Sequence, residues 1–510
     1  MRTWSNEIVS DAEGQPRQGN QTWVGTADPR DERIALLVAQ VVELERLLVA
    51  ARKRNEELER ENRELRARLG QNSTNSSRPP SSDPPGTRRG LQKPPSGRRP
   101  GGQPGHKKHE RELVPPEQVN RFVDVVPPAC GACGRQLRGT DPAPTRHQVI
   151  DIPPIKPEIT EFRCHELKCE GCGVTTRAPI PEEARSLVGD RLGALICLMM
   201  GQYRLSKRMV QALLSDLLGV ELSLGMVPKV GMEMSEALAP AVEEAKAYVR
   251  EQDAVNADET GWFEGKSEGR NRRAWLWVFP TQLVVVFCIA PSRGSQVVKS
   301  VLGEDFTGFL TTDRWSAYNW YDTGLRQLCW SHLTRDFQSF VERGGEAGRI
   351  GEALLQERNR MFEWWHRVRD GTMTQEELEH RMKEVEHKVG QLLRKAAVCP
   401  DNKVAGTAQE ILKLEKAMWT FVQVPGLEPT NNFSERCIRH AVMWRKTSFG
   451  TQSPKGSRFV ERILTVVATL KLQQRNVLEF LTQSLAAHRR GQRGPSLLPS
   501  MPAKPLALVA

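Results

Sequence analysis

Three acidic residues in distinctive local settings constrain the fold of this chain more than any other feature: Asp258 in NADETGW, Asp313 in LTTDRWSAYNW and Glu435 in PTNNFSERCIR. Each aspartate lies at or next to a short run of strand-forming residues, and the glutamate lies at the start of an amphipathic helix. Two strand-borne aspartates and a helix-borne glutamate are what an RNase H-like core needs to hold two divalent cations, because hard cations take carboxylate oxygens. Such a pair of cations serves phosphoryl transfer on nucleic acid.

The pattern of strands between 251 and 335 agrees with that interpretation. The runs VNADETGWF, RAWLWVFP and QLVVVFCIA predict a β-meander, and a short helix, SQVVKSVLG, leads to the predicted strands GFLTTDR and RQLCWSHL. This order predicts a mixed five-stranded sheet with helices, in which the first and fourth strands are central neighbours that place Asp258 beside Asp313. The charged helices of 336–428 predict a helical insertion, after which 429–489 completes the core.

Each acid also has a purely structural interpretation. Asp258 could occupy a turn, Asp313 could cap the helix that follows it, and Glu435 could form a capping-box pair with Asn432. Taken together these interpretations require three coincidences, because the three positions fall where one topology needs ligands. Neighbouring residues of a strand face opposite sides, so only one of Asp258 and Glu259 can join the site, and we predict Asp258.

Two C-x2-C pairs, Cys130/Cys133 and Cys169/Cys172, stand out among the cysteines. Each pair is followed by a glycine, which permits the tight turn that lets thiolates converge on one ion. Residues 116–185 therefore predict a zinc-ribbon-like module with one structural Zn²⁺. Unliganded, reduced cysteines are the alternative.

A third cysteine motif, CWSH, places Cys329 and His332 at a spacing that a metal pair could use. A lone pair of this kind is weak evidence for zinc. We favour a role in supporting the active site for these two residues, together with Arg335 in the same segment.

A heptad repeat runs through 34–69 and predicts a coiled coil over 31–70. Two consecutive a positions are asparagine, Asn55 and Asn62, and a buried asparagine pairs across a parallel dimer and fixes its register. We therefore expect a homodimer or a higher oligomer. An amphipathic helix packed on its own domain is the alternative.

The remaining segments differ in composition. The polar N-terminus, 1–30, predicts disorder, and the basic Pro/Gly/Ser-rich stretch 71–115 predicts a linker. The apolar stretch 186–250 predicts helices, and a helix-turn-helix-like pair within it, 205–218 and 223–236, is a candidate for DNA binding. The C-terminal residues 490–510 predict a ragged tail.

The net charge of +11 and the isoelectric point near 9.2 favour a polyanionic partner such as DNA. Basic side chains cluster after Glu435, and we predict that they contact nucleic acid: Arg436, Arg439, Arg445, Lys446, Lys455 and Arg458. The N-terminus lacks the apolar run of a signal peptide, and the longest apolar stretches fall short of the roughly 18 residues that a membrane helix needs. We therefore expect a soluble cytoplasmic protein that acts at the nucleoid.

Several of these motifs together resemble the insertion-sequence 66 family of bacterial transposases. They are the zipper followed by LGQNSTNSSRPPSSDPP, the pairs CGACGRQL and CEGCG, DETGW, TTDRWSAY, CWSHLTRDF and TNNFSERCIRHAVMWRKTSFGTQS. The resemblance covers nearly the whole chain and implies that Asp258, Asp313 and Glu435 form the DDE triad. It also implies that CWSH is the Cys-x-x-His motif found after the second aspartate in several transposase families. NADET and SER depart from the usual family pattern, but neither removes a ligand.

The resemblance implies a DDE transposase that uses two Mg²⁺ (or Mn²⁺) ions. Such an enzyme cleaves DNA at the terminal inverted repeats of its own element and joins the freed ends to target DNA, and accessory proteins of the element are further candidate partners. The first alternative is an RNase H-like nuclease or resolvase without strand transfer. The second is a zinc-containing DNA-binding regulator, which leaves the acidic triad unexplained. The predicted fold class is multidomain α/β, with a coiled coil, a zinc module, a helical domain and an RNase H-like core that carries a helical insertion.

Overall fold

The computed structural model describes residues 29–69, 71–73, 76–78, 83, 111–267 and 269–499. Most of the predicted disordered segment and of the predicted linker lies outside these residues, as does the end of the predicted tail. The chain divides into two units, Met1–Asn75 with Pro80–Thr87, and Ser76–Pro79 with Arg88–Ala510.

The first unit is dominated by one long helix, α1 (Pro29–Leu69), which spans 41 residues without interruption. Apolar side chains at its heptad positions are exposed: 58% of Ile34, 63% of Leu44 and 51% of Leu48 is accessible. Because burial of an apolar stripe stabilises most helices, a helix with this surface is suited to pack against another helix.

The second unit combines helices with short strands. The helices described in it are α2 (Asp190–Gly201), α3 (Lys207–Leu218), α4 (Met226–Arg250), α5 (Ser295–Leu302), α6 (Trp330–Val341), α7 (Gly345–Arg369), α8 (Gln375–Ala396), α9 (Asn402–Leu412), α10 (Thr420–Gln423), α11 (Asn432–Ser448), α12 (Pro454–Leu472) and α13 (Val477–Arg489). The strands are β1 (Glu166–Lys168), β2 (Thr175–Arg177), β3 (Ala254–Asn256), β4 (Asp258–Ser267), β5 (Arg270–Pro280), β6 (Val285–Ala290), β7 (Phe309–Thr312) and β8 (Arg326–Leu328). The predicted mixed α/β, multidomain class is confirmed. Across the described residues, no helix is both long enough and apolar enough to cross a membrane.

A continuous backbone joins two three-stranded ladders. β3 pairs in parallel with β7, and β7 with β8, whereas β4 pairs antiparallel with β5, and β5 with β6. Only Ala257 separates β3 from β4, and its N–H still donates to the carbonyl of Thr311 at 2.9 Å. The order of strands across both ladders is therefore β6-β5-β4/β3-β7-β8, and the start of β4 lies beside the end of β7.

Aromatic and β-branched residues of β4, β5 and β6 form the centre of the main core. Trp262, Trp277, Phe279 and Phe287 are almost completely buried. The rings of Trp277 and Phe279 stack with their centroids 6.3 Å apart. These residue types favour strands because they pack well on a pleated, buried surface.

Helix α12 covers the free edge of β6. Thr465 accepts a hydrogen bond from the N–H of Phe287, and Thr469 accepts one from the N–H of Val285, both at 3.0 Å. Glu461, one turn earlier on the same helix face, accepts a hydrogen bond from the backbone N–H of Ile289. The unpaired backbone N–H and C=O groups of an edge strand can pair with a strand of another chain, and this helix prevents such pairing at β6.

A second hydrophobic cluster lies among α6–α10 and includes Leu354, Met382 and Trp419. Helix α8 begins with a capping box in which Thr374 and Glu377 satisfy each other's backbone N–H groups. The region predicted as a helical insertion, 336–428, is helical over most of its length.

The predicted strand RQLCWSHL is wrong in its second half. β8 ends at Leu328, Cys329 is the N-cap of α6, and Trp330 begins that helix. Trp330, Leu333 and Phe337 recur at helical spacing and are all fully buried. Packing of this helical face against the second cluster therefore outweighs the strand propensity of the local residues.

The helix-turn-helix-like pair has a longer second member than predicted. Helix α3 ends at Leu218 and is capped by Gly219, whose φ of +62° lies in the left-handed region that glycine adopts without strain. Helix α4 continues past Pro240 to Arg250.

The first part of the predicted tail packs against the core. Leu497 is fully buried, and the side chain of Gln473 donates to its carbonyl at 3.0 Å. Ser496 donates to the carboxylate of Glu244 at 2.7 Å.

Candidate active site

The three predicted acids lie on elements that meet at the centre of the sheet. Asp258 is the first residue of β4, Asp313 directly follows β7, and Glu435 lies in the first turn of α11. Because the register pairs Asn256 with Thr311, the two aspartates stand at the same level just beyond the paired strands. All three acids are half-buried.

One carboxylate oxygen of each aspartate is fixed by a nearby backbone group. Oδ1 of Asp258 accepts a hydrogen bond from the N–H of Glu259 at 2.9 Å, and Oδ1 of Asp313 accepts one from the N–H of Trp315 at 2.8 Å. Within the described ranges, no hydrogen bond occupies the second oxygen of either aspartate. Each side chain is therefore oriented and keeps one oxygen for a ligand.

The pKa of Asp258 is raised well above its usual value. Burial is the main cause, followed by the negative charges of Glu259 and Asp313 and, to a smaller extent, of Glu435. Like charges at short range disfavour ionisation, so the neighbouring carboxylates add to the effect of burial on Asp258. A cation bound among them would relieve the repulsion.

Glu259 faces away from that cluster. Its carboxylate accepts a hydrogen bond from the hydroxyl of Tyr318 at 2.7 Å and forms an ion pair with Arg293 at 2.7 Å. The guanidinium of Arg293 stacks on Trp315, 3.8 Å from the ring centroid. Burial raises the pKa of Glu259, and the charge of Asp313 is the second cause. Glu259 thus ties β4 to the turn that follows Asp313.

Asn431, which was not predicted as a site residue, connects the start of α11 to the β3–β4 junction and to the N-cap of α6. Its side-chain amide donates to the carbonyl of Ala257 at 2.7 Å and accepts from the amide of Asn256 at 2.9 Å. Its backbone N–H donates to Sγ of Cys329 at 3.1 Å. These contacts fix the start of α11, and so Glu435, against the β3–β4 junction. The only local signal was the asparagine pair in PTNNFSER.

Arg326 on β8 is a second residue that was missed. It is fully buried and donates to the hydroxyl of Thr312 at 2.9 Å, to the carbonyl of Asp313 at 2.8 Å and to the side chain of Asn319 at 3.1 Å. Burial lowers its pKa to about 10, against the opposing effect of Asp313. It holds the backbone at the end of β7, and nothing in RQL marks it in the sequence.

The predicted support residues adjoin the glutamate. Sγ of Cys329, a ring nitrogen of His332 and a carboxylate oxygen of Glu435 lie within 4.8 Å of one another, a spacing that no other three cysteine, histidine or acidic side chains share among the described residues. The two aspartates are not members of this group. Burial raises the pKa of Cys329 to about 11 and lowers that of His332 to about 4, with Arg335 as the second cause for the histidine.

The basic residues predicted to contact DNA fall into two sets. Arg445 donates to the hydroxyl of Thr260 at 2.9 Å, and Arg458 donates to the carbonyl of Ile289 at 3.0 Å, so these two anchor α11 and α12 to the sheet. The others are exposed and, in the part of the chain that the structure describes, have no hydrogen-bond or ion-pair partner: Arg436, Arg439, Lys446 and Lys455.

The two cysteine pairs form the same tight turn. The N–H of Gly134 donates to the carbonyl of Cys130, and the N–H of Gly173 to that of Cys169, both at 2.9 Å. Both glycines are left-handed, with φ of +72° and +74°, which explains why glycine follows each pair. Backbone N–H groups inside the turns, first that of the second cysteine, lower the pKa of Cys130 and Cys169. Over the described residues, no three of the four sulfurs lie within 4.8 Å of one another.

Comparison with known proteins identifies the family to which the part of the chain that carries this sheet belongs. The model described as "Transposase IS66 family" matches residues 185–458, more than half of the chain, including all three acids. This chain belongs to the IS66 family of transposases. A family of unknown function, DUF6444, matches residues 26–112. The uncharacterized protein y4qI of Sinorhizobium fredii is 24% identical over 416 residues, which cover 76% of this chain and 74% of that protein.

Proposed function

We propose that this member of the family is a DDE transposase whose catalytic triad is Asp258, Asp313 and Glu435. The observation that carries the proposal is the placement of three acids where β4, the end of β7 and the first turn of α11 meet, with the charges of Asp313 and Glu435 both raising the pKa of Asp258. The strand order β6-β5-β4/β3-β7-β8 supports an RNase H-like core, in which the first and fourth strands are central neighbours.

The donor set fits a pair of hard divalent cations, Mg²⁺ or Mn²⁺. Asp258 and Asp313 each keep an oriented carboxylate oxygen, and Glu435 supplies the third carboxylate. Bound there, the cations would activate the attacking oxygen and stabilise the leaving one. The protein contributes the placement of these ligands: Arg326 fixes the backbone at Asp313, and Asn431 fixes the start of α11.

We expect two successive phosphoryl transfers at the terminal inverted repeats of the element. In the first, water attacks a phosphodiester, the bond from phosphorus to the 3′ oxygen breaks, and a 3′-OH is released. In the second, that 3′-OH attacks a phosphodiester of target DNA and displaces a new 3′-OH. The second step forms one phosphodiester bond and breaks another, so strand transfer needs no external energy source.

Exposed basic side chains on α11 and α12 supply candidate contacts to the DNA backbone. Arg436, Arg439, Lys446 and Lys455 lie on α11 or at the start of α12 and extend into solvent. Phosphate contacts of this kind position a strand without reading its sequence. Helix α3, with Lys207 and Arg208 exposed at its start, is a candidate for end recognition.

The cysteine turns support a structural zinc site for Cys130, Cys133, Cys169 and Cys172. N–H groups directed at sulfur favour the thiolate, which is the form that binds metal. The surrounding module buries little apolar surface: 90% of Val125 is exposed. A structural zinc ion would therefore supply much of its folding free energy.

Helix α1 supports assembly into a homodimer or a higher oligomer. Its apolar heptad side chains are exposed along 34–69. A parallel two-stranded coil would cover this stripe and pair Asn55 and Asn62 with their copies. Because a transposase must act on two DNA ends, such a coil would join two active sites.

The test is a joining assay with the terminal repeats that flank the reading frame. A labelled duplex that ends in the exposed 3′-OH is incubated with the full chain, a supercoiled plasmid and Mg²⁺. We expect label to be covalently joined to the plasmid, and no joining when the cations are chelated. Nicking without joining would favour the nuclease or resolvase, and binding with neither reaction would favour the zinc-containing regulator.

A further inference from the structure

A thiol, an imidazole and a carboxylate converge beside the two aspartates. Their donor atoms, on Cys329, His332 and Glu435, all lie within 4.8 Å of one another. The first turn of α6 holds the first two at this spacing, since the N–H of His332 donates to the carbonyl of Cys329 at 3.0 Å. This set contains sulfur and nitrogen, whereas Mg²⁺ takes oxygen ligands.

Cys329 and His332 each have a feature that favours the binding of a metal ion. Sγ of Cys329 accepts the backbone N–H of Asn431 at 3.1 Å, a contact that stabilises negative charge on sulfur. Nδ1 of His332 is buried and has no hydrogen-bond partner among the residues that the structure describes. A buried polar atom without a partner is unfavourable, and a ligand at this nitrogen would remove the penalty.

We propose that Cys329, His332 and Glu435 form a binding site for one zinc ion. Zinc takes sulfur, nitrogen and carboxylate ligands, and three protein ligands leave a fourth position for water. When the ion binds, the thiol of Cys329 releases its proton to solvent and coordinates as a thiolate, while the imidazole and the carboxylate each donate an electron pair.

Such a site shares its carboxylate with the catalytic triad. Glu435 lies within the thiol–imidazole group in this structure, whereas Asp258 and Asp313 lie outside it. A zinc ion held here engages the glutamate away from the aspartates and inhibits the reaction that needs all three acids. This inhibition rests on the proposed function, whereas the binding of zinc does not.

Cobalt(II) is the probe for the site, because a cobalt–thiolate bond gives a charge-transfer absorbance that Mg²⁺ and carboxylates do not. The full chain is titrated with Co²⁺ as the wild type, Cys329→Ser and Cys437→Ser. Cys437 is the matched control, a half-buried thiol on α11 outside the group. The paired cysteines of 116–185 contribute equally in all three proteins. We expect Cys329→Ser, and not Cys437→Ser, to lose about one cobalt per chain with its thiolate band.

A second variant guards against misfolding of Cys329→Ser, whose thiol is buried. His332→Asn replaces a half-buried side chain, and we expect it to weaken cobalt binding at this site at least about 10-fold, with an unchanged circular dichroism spectrum. Equal stoichiometry, band and affinity in the wild type, Cys329→Ser and His332→Asn would overturn the proposal. If Cys329→Ser does not fold, unchanged binding by His332→Asn overturns it alone.

Zinc inhibition separates this proposal from the proposed function. Micromolar Zn²⁺ should inhibit Mg²⁺-dependent cleavage by the wild type and inhibit Cys437→Ser equally. If the wild type does not cleave at all, the proposed function fails while the cobalt result still decides the zinc site. If it cleaves and Zn²⁺ does not inhibit it, the sharing of Glu435 is contradicted.

Discussion

The carboxyl group of Asp258 occupies a position in which its charged form is unfavourable and lowers the stability of the fold. It is half-buried, and its pKa is raised by burial and by the charges of Glu259 and Asp313. A neutral side chain would avoid this unfavourable electrostatic interaction. We infer that the position is selected for binding a cation and that stability is lost as a consequence.

Replacement by asparagine should show that loss directly. Below the ordinary aspartate pKa of about 3.9, Asp258 is protonated whether the chain is folded or not. Above it, the unfolded chain ionises first, so the free energy of unfolding of the wild type falls as the pH rises through the raised folded pKa. We therefore expect Asp258→Asn to gain stability relative to the wild type as the pH rises from about 4, with the gain levelling off at higher pH.

The measurement is urea unfolding at several pH values with divalent cations chelated. Asp253→Asn, which alters an exposed aspartate just before β3, is the matched control. A stability difference between Asp258→Asn and the wild type that does not change with pH would contradict the explanation.

Asn431 should matter for activity more than its neighbour does. Asn431→Ala removes one buried and one partly buried hydrogen bond to the β3–β4 junction, so we expect a loss of about 1–3 kcal/mol in the free energy of unfolding. Displacement of the start of α11 should lower cleavage by about 10- to 100-fold. Asn432→Ala is the control, because that side chain is exposed and accepts a 3.3 Å hydrogen bond from the hydroxyl of Ser331. Equal effects of the two substitutions on cleavage would refute the positioning role.

The residues that the sequence revealed and those that it hid differ in the range of their contacts. Asp258 could be chosen over Glu259 from strand alternation alone, which is a local rule. Asn431 acts through a contact with Ala257, which is distant in sequence, and Arg326 acts from a buried position through a contact with Thr312. No local pattern of residue types carries such information.

At the scale of elements, the cysteine turns were predictable and the boundary between β8 and α6 was not. C-x2-C followed by glycine specifies its own turn through a left-handed residue, as Gly134 and Gly173 show. The segment after β8 becomes helical because Trp330 packs edge-to-face against Trp419, with ring centroids 4.9 Å apart. Trp419 lies about 90 residues further along the chain, so the strand-like composition of RQLCW wrongly predicted that the strand continues past Leu328.

The predicted zinc site of residues 116–185 gives the prediction at this scale. Cys130→Ser or Cys169→Ser should release about one zinc ion per chain and make residues 116–185 sensitive to proteolysis, because structural zinc contributes folding free energy outright. Cys164→Ser is the control in the same module. Elemental analysis that finds no zinc in the reduced wild type would disprove the site.

At the scale of the whole molecule, α1 belongs to a unit of its own, so its removal should leave the other unit folded. We expect deletion of residues 1–70 to leave a zinc-bound, metal-competent core that no longer dimerises and joins paired ends poorly. Light scattering at micromolar concentration and the joining assay measure the two effects. Leu44→Lys, which places a charge in the heptad stripe, should reproduce them in the full chain. A truncated protein that stays dimeric and joins DNA normally would locate the dimer contact elsewhere.

The overall α/β architecture was predictable because hydrophobic periodicity and turn residues specify helices and strands locally. The sheet order was predictable from the order of strands and helices together with the acids, since that order places Asp258 beside Asp313. The protection of β6 by Thr465 and Thr469 of α12 could not be predicted, because it depends on how two distant segments pack.

The central claim, that Asp258, Asp313 and Glu435 form one catalytic centre, is tested most directly by separating cleavage from DNA binding. Two quantities are measured for each protein: the rate of Mg²⁺-dependent cleavage at the terminal repeats and the affinity for the DNA ends. The proteins are the alanine variant of each acid and two controls at exposed positions, Asp253→Ala and Glu428→Ala. The account predicts that each triad variant loses at least about 100-fold in cleavage rate while it binds ends nearly as the wild type does, and that the controls cleave normally. A triad variant that keeps more than a tenth of wild-type cleavage would contradict it.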